Sequence, residues 1–153
     1  MNKKQRRWRN RIVVAIVIFA AIMAVDEAGL LASAFGPTGS VYAAFALYLI
    51  PYLVAGYDVL AKAARNIRAG EAFDECFLMT VATIGAFAMV AFPDTDPHMA
   101  EGAAVMLFYQ VGELFQSYAV GQSRKSIAQM MDIAPEYANV ERDGELVQVD
   151  PAE

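Results

Sequence analysis

Four apolar runs, each closed by a short polar or turn-forming stretch, constrain this chain more than any other feature. They cover residues 12–25, 41–56, 77–92 and 102–118. At 1.5 Å per residue, the about 17 residues of the last run span roughly 25 Å, close to the thickness of a bilayer's hydrocarbon core. Hydrophobic residues make up 58% and charged residues 19% of the chain, with a mean hydropathy of +0.36. That balance is too apolar for an ordinary soluble domain. The expected class is an all-α membrane protein with four transmembrane helices.

The fourth run opens a long helix, expected over residues 101–135, that starts within the membrane and ends outside it. Glu113 lies inside its apolar part. At about 100° per residue, Met106, Gln110, Glu113, Ser117 and Gly121 share one face, so the carboxylate belongs to a polar stripe. An ionisable group at that depth is costly unless it faces a bundle interior, where it marks an ion or substrate path. The alternative is a carboxylate reaching for water near the helix end.

Charge is strongly segregated. Six of the twelve basic residues (Lys3, Lys4, Arg6, Arg7, Arg9 and Arg11) precede the first apolar run. Further Lys/Arg fall in residues 62–68 and at Arg124 and Lys125, and the two opposite loops have none. The positive-inside rule then places both chain ends in the cytoplasm, as a multi-pass protein of the cell (inner) membrane. This clustering sets topology and does not point to nucleic acid.

In chain order, residues 1–11 form a basic, Trp-containing cap. The first helix is expected to continue through Asp26 and Glu27 to about Phe35, before a turn at residues 36–39. A cleaved signal peptide ending near Ala32-Ser33-Ala34 is the other reading of this stretch. The second run contains Pro51 and ends at Gly56, where a kink is expected. Residues 57–68 then read as a basic amphipathic helix, with Lys62, Arg65 and Arg68 opposite Val59, Leu60, Ala63 and Ile67, suited to an anionic membrane surface. The third run is rich in small residues (Thr80, Ala82, Thr83, Gly85, Ala86, Ala88) that permit close helix contact. Residues 93–99 form an acidic turn, and 137–149 read as strand, Asp143-Gly144 turn and strand.

Candidate chemistry is sparse. No phosphate-binding loop, Ser/His/Asp arrangement or zinc-ligand spacing occurs, so this stretch is not expected to catalyse a reaction by itself. His98, with Asp94, Asp96 and Glu101 nearby, reads either as an external metal-release patch or as a solvated acidic turn. Cys76, the single cysteine, is either a soft ligand at a helix entrance or a half-buried thiol. Met79 and Met106 read as packing methionines before soft-metal ligands.

Four motifs recur in order: Phe73-Asp74-Glu75-x-Phe77-Leu78-Met79-Thr80-x-Ala82-Thr83-Ile84-Gly85-Ala86, then Val111-Gly112-Glu113-Leu114-Phe115-Gln116, Ser123-Arg124-Lys125-Ser126-Ile127 and Met131-Asp132-Ile133-Ala134-Pro135. Together they resemble heavy-metal-translocating P-type ATPases of the zinc/cadmium/lead-exporting type, over most of residues 40–153. The resemblance implies two class-specific leading helices in residues 12–56, a cytoplasmic platform at the metal entrance in 57–70, two core helices in 73–132 and the first hairpin of an actuator domain in 133–153. It also implies an ion pathway through Glu113 toward Glu101 on the exit side.

Two positions depart from many relatives: Ala55-Gly56 stands where they have Gly-Gly, and Gln116 where they have a second carboxylate one turn after Glu113. The Thr-Gly-Glu loop, the Cys-Pro-Cys ion site, the Asp-Lys-Thr-Gly-Thr phosphorylation site and the nucleotide domain are expected beyond Glu153, which makes the chain an N-terminal piece of a longer exporter. The implied partners are the bilayer, the remainder of the ATPase chain and a divalent metal ion. ATP and Mg are implied as cofactors of the full-length protein and none for this stretch alone. The competing expectation is a self-contained four-helix membrane protein that binds or regulates a partner.

Overall fold

The computed structural model describes residues 3–71, 73–92, 96–131, 138–142 and 144–149. Helix α1 (Lys3–Glu27) begins in the basic cap and ends earlier than expected. Gly29 takes φ +70°, the left-handed conformation that terminates helices, and its N–H bonds the Asp26 carbonyl at 2.9 Å. The first helix therefore does not run on to Phe35, because that glycine intervenes. Helix α2 (Leu30–Arg68) follows directly and is interrupted once, at Gly36 (φ 73°, ψ 176°), just before Pro37. Proline is well placed there, since the first turn of a helix needs no donor from it.

From Pro37 onward the backbone of α2 stays helical through both Pro51 and Gly56. Residues 57–68 are thus the last turns of this helix, and the kink expected at Gly56 is not a break in helical backbone angles. Arg65 and Arg68 lie in its final turn, where cations favour the negative end of the helix dipole. Gly70 (φ +82°) closes the end, and the Glu71 N–H bonds the Asn66 carbonyl at 2.9 Å.

Asp74 then starts helix α3 (Glu75–Ala88) by accepting the Phe77 N–H at 2.8 Å. A single 3-10 turn (Met89–Ala91) follows. Helix α4 (Met99–Met131) starts two residues before the expected Glu101. Its expected last turn to Pro135 lies outside the described residues, as do Asp94 of the acidic turn and Asp143 of the hairpin.

The chain forms two compact units, Met1–Gln116 and Ser117–Glu153. In the first, small residues set the helix spacing: Ala15, Ala55 and Ala103 are completely buried. A Cβ placed on Gly102 would meet the Ala86 Cβ at 3.0 Å and the Thr83 carbonyl oxygen at 3.3 Å. The small residues of the third run thus let α3 and α4 approach closely. Aromatic rings fill the remaining space, with Phe45 edge-on to Phe87 at 5.6 Å and Tyr52 tilted against it at 4.9 Å.

Large apolar side chains point outward along the same helices, including Val14 and Val17 on α1, Leu78, Val81 and Ile84 on α3, and Phe108 and Phe115 on α4. Such a surface is covered by lipid or protein. Lys3–Glu27 and Leu30–Arg68 are long and apolar enough to cross a membrane, and Glu75–Ala91 is a shorter apolar helix.

The second unit holds the last turns of α4 and an antiparallel hairpin of β1 (Ala138–Arg142) and β2 (Glu145–Val149), with Val140 opposite Val147. Gly144 at φ +83° supplies the turn residue, as the sequence pattern anticipates.

Candidate functional site

At the end of the first unit that carries the basic cap, three helices converge on one glutamine. Gln110 of α4 is only 1% exposed. Its Nε2 donates to the Ala55 carbonyl and, at 2.7 Å, to Asp58 Oδ1 of α2, while its Oε1 accepts the Trp8 indole N–H of α1 at 2.9 Å. Both donors and the acceptor are satisfied, as a buried amide requires.

Asp58 also pairs with Arg11 at 2.7 Å, and the Arg11 guanidinium lies over the Tyr57 ring, 4.6 Å from its centre. Arg11 donates a further bond to the Ala55 carbonyl at 3.3 Å. Gly56 lets these groups approach, because it presents no side chain beside Met106: a Cβ there would sit 2.7 Å from Met106 Cγ.

Beside this network lies a cleft of about 200 Å³. Glu113 lines it, half-buried, one turn beyond Gln110, together with Lys62 and Arg65 of α2, Cys76 at the start of α3, and Tyr109. Cys76 is buried, and its Sγ is 3.4 Å from Tyr109 Oη. The Lys62 ammonium holds its proton above the usual lysine range, first through hydrogen bonding to the Cys76 sulfur and then through that sulfur's charge, with Glu75 and Glu113 adding to the effect. With Asp58 also at its wall, one cleft thus gathers two carboxylates, a thiol, a phenol and two cationic side chains.

Other residues singled out from sequence lie elsewhere. Gln116 is exposed and lines no part of the cleft, and Arg68 is exposed at the end of α2. Glu101, also exposed, is at the opposite end of α4's apolar part, roughly 18 Å along the axis from Glu113. His98 Nδ1 is 3.4 Å from Glu101 Oε1. Of the other two members expected of that patch, Asp96 is exposed and Asp94 lies outside the described residues. Among the described residues, no group of three His, Cys, Asp or Glu side chains is placed to hold a metal ion.

Between the two ends the bundle interior is not wholly apolar. The Tyr52 hydroxyl meets Thr83 Oγ1 at 3.0 Å, and the Tyr48 hydroxyl donates to Asp26 at 3.1 Å. Asp26 and Tyr48 line a second cavity of about 120 Å³ with Ser40, Pro97 and Met99.

Comparison with known proteins gives one consistent answer. The chain is 44% identical over 142 residues to the cadmium, zinc and cobalt-transporting ATPase of Bacillus subtilis, covering 93% of this chain and 18% of that protein. It is 49% identical over 109 residues to the zinc-transporting ATPase of Synechocystis sp., covering 71% of this chain and 14% of that one. The cadmium, zinc and cobalt-transporting ATPase of Helicobacter pylori is 40% identical over 109 residues, 71% of this chain and 15% of the relative. The chain therefore spans less than a fifth of the length of these relatives. No family model matches, and no solved structure matches.

Proposed function

We propose that this chain, which is a stretch of a heavy-metal-transporting P-type ATPase, provides the cytoplasmic entrance and the first part of the ion pathway of an ATP-driven exporter of divalent metal cations. The observation that carries this reading is the meeting of Glu113 with Lys62, Arg65 and Cys76 in one cleft at the basic end of the bundle.

The cations there offer a carboxylate an exchangeable partner. A divalent ion arriving from the cytoplasm takes the place of Lys62 or Arg65 beside Glu113. The residues of 57–70 form the platform at the entrance, with Gly56 at its base. The ion then passes along the polar side of α4 toward Glu101, with the Tyr52–Thr83 pair as polar relief within the bundle. Gln116, exposed and uncharged, takes the smallest part.

All four helices cross the membrane in this reading, α3 and α4 being sheltered by the remaining core helices of the longer protein. Residues 12–56 are the leading helices, 73–132 the core pair, and 133–153 the beginning of the actuator domain. The full-length enzyme uses ATP and Mg to drive transport, and zinc, cadmium, lead or cobalt is its substrate.

The test is metal-stimulated ATP hydrolysis by the full-length protein in proteoliposomes. Glu113→Gln keeps the volume and removes the charge, so folding and insertion survive while activity falls about tenfold or more, the rate equivalent of ~1.4 kcal/mol. Glu101→Gln loses less, and His98→Ala little. Wild-type turnover in Glu113→Gln would refute the assignment.

A further inference from the structure

A third concavity, of about 480 Å³, shares Trp8 and Asp58 with the Glu113 cleft and is lined by Lys4, Arg7, Trp8, Arg11, Tyr57 and Asp58. Lys4, Arg7 and Arg11 recur at helical spacing on one face of α1. Lys4 and Arg7 are exposed and meet no carboxylate among the described residues. Asp58, the one anion in the groove, is already engaged by Arg11 and Gln110. The groove therefore carries surplus positive charge without an internal partner for it.

The position of the groove along the two helices says what fills it. Arg11 is the last basic residue before α1 becomes apolar, and Tyr57 is the first residue after the apolar run of α2. Both helices leave the hydrocarbon at this level, where lipid phosphates lie and where tyrosine and tryptophan concentrate. Directly below, exposed Val14 follows Arg11 by three residues and exposed Leu53 precedes Tyr57 by four. A ligand bound here has a charged head against Lys4 and Arg7 and an apolar tail over Val14 and Leu53.

We propose that this groove is a binding site for an anionic phospholipid, with its phosphodiester held by Lys4 and the guanidinium of Arg7 and its acyl chain on Val14 and Leu53. Arg7 offers a planar fork to the two free phosphate oxygens, and Lys4 a mobile point charge. A zwitterionic lipid gains less, because its ammonium group finds no free carboxylate: Asp58, the one acid of the groove, is held by Arg11 and Gln110. The site rests on the membrane reading of the bundle. Through Arg11, Asp58 and Gln110 it adjoins the Glu113 cleft, so lipid occupancy bears on the same ends of α1, α2 and α4 that form the entrance.

Trp8 lines the groove and is the only tryptophan, which makes it a built-in probe. The full chain is placed in phosphatidylcholine nanodiscs containing a small fraction of either brominated phosphatidylglycerol or brominated phosphatidylcholine, and quenching of Trp8 fluorescence is measured. Phosphatidylglycerol is expected to quench as though enriched about fivefold or more around Trp8, the ratio that one well-placed cation near a membrane surface provides.

The enrichment should vanish in the double variant Lys4→Gln/Arg7→Gln and persist in Arg6→Gln/Arg9→Gln, which removes equal charge outside the groove. Equal quenching by the two lipids in the wild type overturns the proposal. So does equal loss in both double variants, which reads diffuse surface charge, and so does reversal by excess inorganic phosphate, which reads a soluble-anion site. Both nanodisc leaflets have the same composition, so the outcome does not depend on which side of the membrane the N-terminus occupies.

Discussion

Among the described glycines, Gly56 has the closest neighbour, Met106, which lies one turn of α4 before Gln110. A methyl group on Gly56 would fall within 3.0 Å of three atoms of Met106, a side chain with no exposed surface into which it can retreat. Gly56→Ala should therefore destabilise the first unit by about 1–3 kcal/mol, the usual cost of overpacking a filled core. Met106→Ala relieves the clash at the cost of a cavity, so the double variant should be more stable than the sum of the two singles predicts. Thermal unfolding of the four proteins in detergent measures this coupling, and strict additivity would show that Met106 simply moves aside. The sequence marks Gly56 for backbone freedom, but its helical backbone and contact with Met106 show a need for space. Glu113 and Gln110 are readable as one stripe on α4, because helical periodicity is a local property. The partners Trp8, Arg11 and Asp58 are 44 to 102 residues from the groups they bond across helices, and no local pattern reports such pairings. Asp58 is nevertheless the sole acid in the basic segment 57–68, and that isolation is the one signal that could have exposed it.

At the scale of elements, the connection between α2 and α3 turns on Asp74. One carboxylate oxygen caps α3 at the Phe77 N–H, and the other accepts the Asn66 amide from α2, so a single side chain fastens both helices. Loss of a cap of this kind costs ~1 kcal/mol, in a range of about 0.5–2. Asp74→Ala should lower the unfolding temperature by several degrees, the shift that about 1 kcal/mol gives in a domain of this size, while Asp74→Asn recovers most of it by keeping the capping oxygen. If the alanine variant melts with the wild type, the cap does not hold the connection. The sequence places the apolar runs within helices, because length and apolar composition are local properties. It misplaces the end of the first helix, since the run 28–35 is composed of residues compatible with helix and only the left-handed conformation of Gly29 divides it. The second helix reads as two parts because Pro51 and Gly56 both weaken a helix in isolation, whereas packing of Tyr52, Ala55 and Val59 against the bundle carries it through.

The whole first unit has two chemically different ends. Lys4, Arg7 and Arg11 line the groove with Trp8 and Asp58, and Lys62 and Arg65 the adjoining cleft with Gln110 and Glu113, while Asp26 and Tyr48 share the opposite cavity with Pro97 and Met99, where no lysine or arginine is present. Cationic side chains resist translocation, and anionic lipids of the cytoplasmic leaflet attract them, so the membrane reading proposed above puts the Gln110 end in the cytoplasm. Four crossings follow if α3 and α4 span the bilayer alongside the two longer apolar helices. In that arrangement reporters fused after residues 37, 70, 96 and 130 should read outside, inside, outside and inside. The fusion at residue 96 is the decisive one: Glu75–Ala91 is the short apolar helix, and the exposed Leu78, Val81 and Ile84 give it a lipid-facing side only if it crosses. An alkaline phosphatase fusion there should be active and a cytoplasmic fluorescent reporter dark. The reverse pattern at residue 96, with the fusion at residue 37 still outside, would reduce the bundle to two crossings and leave the cleft around Glu113 without a route to the far side.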